Sequence, residues 1–291
     1  MKSKTLLPFF PAIVAAEMGA GPGPYPNGTF YASANANPNA TGSVFLEGLN
    51  MANPTNTLQP KLWTASINVT SVPNFPGSSN SSSTITNSVI SLDARGNFIS
   101  NSSSWDTCAI VMQSVAINAT VKGQNDNGNC SATLGIECAN AWTRAIARSR
   151  QVAATSRRDP GDGACGGMTF PDVPDECMGS LNSSLIATDI NNSNVTARQA
   201  LFYNADMPHN VSNHTPYEVA ATRIWPILLV QSPRRDVFNG SGATSVGLSC
   251  LRATNFTPGS EEIGDVPGAG SRMGYSVWGL VGMMTMMAFA L

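Results

Sequence analysis

Hydrophobic and polar residues alternate through much of this chain. In KLWTASINVTSV (Lys61–Val72), Trp63, Ala65, Ile67 and Val69 fall on one face, and Thr64, Ser66, Asn68 and Thr70 on the other. That is the period of two expected of a strand with one face buried and the other wet. SVAINATV (Ser114–Val121) repeats it, with Val115, Ile117, Ala119 and Val121 inward and Asn118 outward. The same reading predicts strands at Thr29–Ala34, Val44–Leu49, Thr84–Leu92, Thr107–Val121, Glu218–Val230 and Val246–Ala253. LDARGNF, from Leu92, reads as a hairpin turn in which Gly96 supplies a positive φ.

From Cys138 to Val152 the period changes. Cys138, Trp142, Ala145, Ile146 and Ser149 recur at helical spacing, and Arg144, Arg148 and Arg150 go to the outer face. A basic outer face on a helix is most simply a solvated one. The pattern therefore predicts a mainly β, β-sandwich-like fold with one or two short α-helices, stabilised by disulfides. The Gly-, Pro- and Asp-rich run Thr155–Cys177 is a loop and marks a sub-boundary near 153–165. SSNSSST (Ser78–Thr84) reads as a polar loop tip suited to O-glycosylation.

The two ends break the pattern. Residues 1–16 carry Lys2 and Lys4 ahead of an apolar run from Leu6 to Ala16, the layout of a secretory signal. Residues 268–291 begin with the small residues Gly268-Ala269-Gly270 and end on the apolar stretch Val277–Leu291. That stretch is shorter than the ~20 residues a spanning helix needs. Small residues, a polar spacer and an apolar end together match a GPI attachment signal, with Gly268 or Ala269 as the attachment residue. A retained spanning helix is the rival reading. The expected organisation is thus a signal peptide at 1–16, one secreted β-rich glycosylated domain at 17–267, and a removed signal at 268–291.

Composition narrows the classes. Charged residues are 12% of the chain, well under the usual share, and the net charge is −2. After Lys4 only Lys61 and Lys122 remain as lysines, so the clustered basic surface that nucleic acid requires is missing. Polarity comes instead from Asn, Ser and Thr. Sequons of the form Asn-x-Ser/Thr occur at Asn27, Asn39, Asn68, Asn80, Asn101, Asn118, Asn129, Asn182, Asn191, Asn194, Asn210, Asn213, Asn239 and Asn255. Chance pairing of these residue types would give roughly five, so the excess points to N-glycosylation.

Six cysteines, Cys108, Cys130, Cys138, Cys165, Cys177 and Cys250, suit three disulfides in a secreted chain. No CxxC pair occurs, and His209 and His214 are the only histidines, which argues against zinc. Of the fifteen connectivities for six cysteines, short spacings favour Cys130–Cys138 and Cys165–Cys177, leaving Cys108–Cys250.

Residues typed for catalysis are sparse. The chain has no G-x-S-x-G elbow, H-E-x-x-H helix or phosphate-binding Gly-rich loop. Asp206, His209 and His214 lie close in sequence, but a spacing of five does not set two histidines on one helical face. Glycoside hydrolysis would need two acids across a cleft, and Asp93, Asp106, Asp126, Glu137, Asp189 and Glu218 show no pairing in the sequence. No catalytic, cofactor-binding or metal residue is assigned, and no cofactor is expected. Two paired-basic sequences, Arg157-Arg158 and Arg234-Arg235, are candidate convertase sites, with solvated arginines as the simpler reading.

WDTCAIVM (Trp105–Met112), GNCSATLGIECANAW (Gly128–Trp142) and the apolar tail resemble the uncharacterised GPI-anchored surface glycoproteins of filamentous fungi. The resemblance implies a cell-surface location and a β-rich disulfide fold, and brings no activity. The expectation is therefore a secreted, N-glycosylated protein on the extracellular face of the plasma membrane or in the cell wall. It would be held to the membrane by a lipid anchor and have a structural or interaction role. Its partners would be cell-wall polysaccharide or an extracellular protein, with no nucleic acid. The alternative is an extracellular carbohydrate-active enzyme, whose cleft would combine two acids with exposed aromatics such as Trp63, Trp105 or Trp225.

Overall fold

The computed structural model describes residues 17–23, 28–51, 60–75, 82–97, 105–155, 165, 168–182, 184–190, 199–233, 244–260, 263, 266 and 267. The fold is mainly β, built on two antiparallel sheets and crossed by three disulfides. Its strands are β1 (Glu17–Pro22), β2 (Ala40–Leu49), β3 (Pro60–Pro73), β4 (Ser83–Asp93), β5 (Trp105–Met112), β6 (Leu185–Asp189), β7 (Gln199–Asp206), β8 (His209–Asn210), β9 (Trp225–Pro233), β10 (Ser245–Leu251) and β11 (Asn255–Phe256). The helices are α1 (Gly28–Asn35), α2 (Ile117–Gly123), α3 (Ile136–Thr155) and α4 (Thr215–Thr222), with a 3-10 turn at Asp175–Cys177.

The larger sheet runs β1-β7-β4-β3-β2-β11, with β8 also pairing β4; the smaller runs β10-β9-β5-β6. Alternation in β3 does what its sequence requires. Trp63, Ala65, Ile67 and Val69 are fully buried in the core between the sheets. They meet Trp225, Ile227 and Leu229 of β9, with the Phe202 and Trp225 rings 5.2 Å apart. Each such large side chain contributes about 1.5–3 kcal/mol by leaving water.

One buried amide joins the sheets across this core. Gln231 Oε1 accepts the Leu49 N–H at 2.6 Å, and Gln231 Nε2 donates to the Met51 sulfur at 2.9 Å. Trp63 Nε1 donates to the Leu49 carbonyl at 3.2 Å. The smaller sheet is covered on its other face as well. There Cys108, Ile110, Met112, Leu228 and Val230 pack against Trp142 and Ile146 of α3. β9 is consequently buried along its whole length and reads as a continuous apolar run rather than an alternating one.

The structure changes several expectations. Thr29–Ala34 lies in α1, not in a strand. Tyr31 and Ala34 pack on Val72 and Ile85, so a helix of about two turns docks on the outer face of the larger sheet. The strand expected over Thr107–Val121 stops at Met112. Beyond it, Ala119, Thr120 and Gly123 are the buried residues of α2, at helical spacing, and Val121 is exposed. Glu218–Val230 divides into α4, which has Pro216 in its first turn, and β9. The turn at Arg95-Gly96 is present, Gly96 with φ of 75°. It closes no β4–β5 hairpin, because β4 pairs with β3 and β7 while β5 belongs to the other sheet.

α3 forms as expected, with Cys138, Trp142 and Ile146 buried, but Arg150 is not on its outer face. Arg150 is 3% exposed, donating to Asp106 Oδ2 at 2.6 Å and Ser232 Oγ at 2.7 Å. Arg150 follows the buried Ile146 by four residues, on the same side of α3, which brings it to Asp106 near the start of β5 and Ser232 near the end of β9. The disulfides also differ. They are Cys108–Cys165, Cys130–Cys250 and Cys138–Cys177, none of the pairs that short spacing favoured. Cys130 and Cys138 face different partners because a tight loop and the start of α3 intervene. All six sulfurs lie in the layer between the smaller sheet and α3.

Candidate functional site

The candidate positions carried forward from the sequence are the sequon asparagines. Of the fourteen sequons, Asn27, Asn80, Asn101, Asn191, Asn194 and Asn239 lie outside the described residues, as do the candidate attachment residues Gly268 and Ala269. Asn118, Asn129, Asn182, Asn210, Asn213 and Asn255 are exposed. Asn118 sits in the first turn of α2, so its exposure comes from helix geometry and not from the strand phase read in the sequence. Asn255 stands on β11, the edge of the larger sheet.

Three of the exposed asparagines share one local geometry. Asn129 Oδ1 accepts the Ser131 N–H at 3.0 Å, Asn210 Oδ1 that of Ser212 at 3.0 Å, and Asn213 Oδ1 that of Thr215 at 3.4 Å. Each sequon thus closes an Asx turn on its own third residue. Asn210 Oδ1 also accepts the Ser212 hydroxyl at 2.9 Å. The side-chain oxygen is used locally, on an exposed turn.

Asn129 is presented on a rigid loop. Asp126 Oδ1 accepts the N–H groups of Gly128 (2.8 Å) and Cys130 (3.1 Å). Its Oδ2 accepts those of Ala132 (3.0 Å) and Thr133 (2.9 Å), plus the Thr133 hydroxyl at 2.9 Å. Gly128 takes φ of 102°, and a Cβ there would lie 2.2 Å from Val44 Cγ2, so only glycine fits. The Cys130–Cys250 bond then ties the loop to β10.

Two sequons are held differently. Asn39 Oδ1 accepts the Ser71 N–H at 2.7 Å, and its Nδ2 lies 3.5 Å from Ser260 Oγ. Asn68 was expected on a wet strand face, yet α1 covers that face and Asn68 Nδ2 donates to the Asn35 carbonyl at 2.9 Å. Both asparagines are half-buried.

The acids serve the chain itself. Asp93 accepts the Arg95 N–H at 2.7 Å, Asp106 pairs with Arg150, and Asp189 accepts the Cys165 N–H. Glu137 and Glu218 occupy the first turns of α3 and α4, where a negative charge favours the helix dipole. Asp206 and His209 do meet, Oδ2 to Nδ1 at 3.4 Å, while His214 stands at the start of α4. Asp206 is 9% exposed, and its Oδ1 accepts the Thr86 N–H at 2.5 Å. Burial raises its pKa from 3.8 to about 6, against the lowering effects of Thr86 and His209.

Among the described residues no group of three or more His, Cys, Asp or Glu side chains could hold a metal ion. Trp63 and Trp225 are fully buried in the core, and Trp105 is partly buried against it. No described helix is long and apolar enough to cross a membrane.

The sequence placed Arg150 on the outer helix face and left Asp126 an unpaired acid, and it did not point to Gln231 at all. Only Asp126 left a signal, an acid two residues before a glycine in a loop rich in Asn. The chain matches no family model, no curated protein and no solved structure.

Proposed function

We propose that this chain is a secreted, N-glycosylated cell-surface protein with a structural or interaction role, carried on the outer face of the membrane or in the wall by a GPI anchor. The observation that carries the reading is the placement of the described sequons: six exposed, three of them closing their own Asx turns, on a fold whose six cysteines are all in disulfides. Disulfides of this kind persist in oxidising compartments. The signal-like start and the small-residue and apolar end of the sequence support the same route. Resemblance to fungal GPI-anchored surface glycoproteins, carried by the Trp105–Met112 and Gly128–Trp142 motifs, agrees with it. Wall polysaccharide or an extracellular protein is the partner class.

The buried Trp63 and Trp225, together with acids engaged by the chain's own backbone and Arg150, give no support to the enzyme alternative. The anchor is tested on cells stripped of their wall. Phosphatidylinositol-specific phospholipase C should release the protein into the medium. Retention of the protein, together with labelling by an antibody against residues 282–291, would show that the tail is a retained helix.

A further inference from the structure

α1 covers one part of the outer face of the larger sheet, where Tyr31 packs against Val72 and Ile85 and Asn68 Nδ2 bonds the Asn35 carbonyl. Toward the other end of β3 the same face is open. Phe45 and Ser43 of β2 stand there directly across from Thr64 and Ser66 of β3, and Leu62 lies two residues before Thr64. Phe45 is 57% exposed and Leu62 48%. Ser43 is exposed, and Thr64 and Ser66 are half-buried. The Arg95 guanidinium lies 5.5 Å from the centre of the Phe45 ring and steadies it without covering it.

Charge and area narrow what this shelf can hold. Glu47 stands across from Leu62, Asp93 across from Thr64, and Arg95 beside Phe45, so the signs are mixed. No cluster of one sign draws an ionic polymer or an acidic surface. The apolar area is small. An aromatic side chain buries about 150–250 Å², so Phe45 with Leu62 falls well below the roughly 800 Å² per partner of a stable protein interface.

A neutral ligand with apolar faces and a hydroxyl rim fits instead, which is the chemistry of a sugar ring. Its C–H groups meet the negative face of the Phe45 ring. Its hydroxyls donate and accept, matching the serine and threonine hydroxyls and the Arg95 N–H groups. Neighbouring strands lie about 4.8 Å apart, close to the length of one sugar residue in an extended chain. A chain laid across the strands would set one ring on Phe45 and the next over Thr64.

We propose that the open shelf of Phe45, Leu62, Thr64 and Arg95 binds a neutral, extended polysaccharide, a β-linked glucan, with one sugar ring stacked on Phe45. This rests on the reading of the chain as a surface protein, and it gives one of that reading's partner classes a place on the fold.

Electrophoresis of the purified, folded, glycosylated protein through native gels containing soluble mixed-linkage β-glucan or laminarin tests it. At least one glucan should slow the native chain. Phe45→Ala should weaken that retardation about tenfold, and Phe45→Trp, which keeps a ring, should retain it. Met178→Ala removes an exposed apolar side chain next to the 3-10 turn and should change nothing. A native chain slowed by neither glucan, or Phe45→Ala slowed as much as the native chain, overturns the proposal. Asn255 stands across from Thr41, on the edge of this face. Retardation that appears only in Asn255→Gln would mean that the chain's own oligosaccharide fills the shelf, and also overturns it. A chain that binds glucan but resists the phospholipase keeps this proposal and loses the anchor; a released chain that binds no glucan does the reverse.

Discussion

Asn68 Nδ2 donates to the carbonyl oxygen of Asn35 at 2.9 Å, so the nitrogen an oligosaccharide would join is held against α1. Asn118, by contrast, is exposed at the start of α2. Replacing Asn68 with Asp removes the donor and sets a carboxylate against a carbonyl oxygen. The change should cost about 1–3 kcal/mol. Asn118→Asp, on the surface, should stay within about 0.5 kcal/mol. Urea unfolding of the two variants made without glycans checks this, and equal losses would contradict the placement of α1.

Arg150 closes the α3 side of the sandwich through Asp106 and Ser232. Arg150→Met should lower stability by about 3 kcal/mol, because Asp106 loses a charge partner beside a buried surface. Arg148→Met, on the exposed face two residues earlier, should change little. Thermal denaturation of the two proteins distinguishes a buried arginine from a solvated one.

Asp206 makes stability depend on pH. Its folded pKa of about 6 lies above the ordinary 3.8, so the folded chain holds this proton more tightly than the unfolded chain. Its contribution is complete below the unfolded value and is lost as pH rises through about 6, a change on the order of 3 kcal/mol. Asp206→Asn should flatten that part of the profile and be more stable than the native chain at neutral pH. Denaturant titrations across the window check it, and parallel profiles would contradict the burial of a charged Asp206.

Each disulfide joins a cysteine before Thr155 to one at or after Cys165. A cut after Arg158 would therefore leave two pieces covalently linked three times over. Limited trypsin cleavage there should give a single band without reductant and two bands with it. Two bands without reductant would contradict the connectivity.

The sandwich was legible where one face of a strand is wet. β3 alternates cleanly, and β2 and β10 follow from runs of similar pattern, whereas β4 was read as a strand although it is buried at every position from Thr84 to Leu92. β6 and β7 were not legible, since their burial is partial or continuous and no alternation results. α1, α2 and α4 are each a turn or two long, too short for period 3.6 to separate from period 2. Cysteine pairing was not legible because it depends on how α3 crosses the smaller sheet. Sequons could be read off directly, but the exclusion of Asn68 needed α1 in place, and the sequence had assigned α1 to a strand.

Glycopeptide mass spectrometry of the protein recovered from the surface of its own cells tests the central claim most directly. Asn118, Asn129, Asn182, Asn210, Asn213 and Asn255 should furnish the occupied sites among the described residues, with one of the close pair Asn210 and Asn213 sufficing for both. Asn39 and Asn68 should be bare. A protein found only inside the cell, with unmodified peptides at all of these positions, would contradict the account.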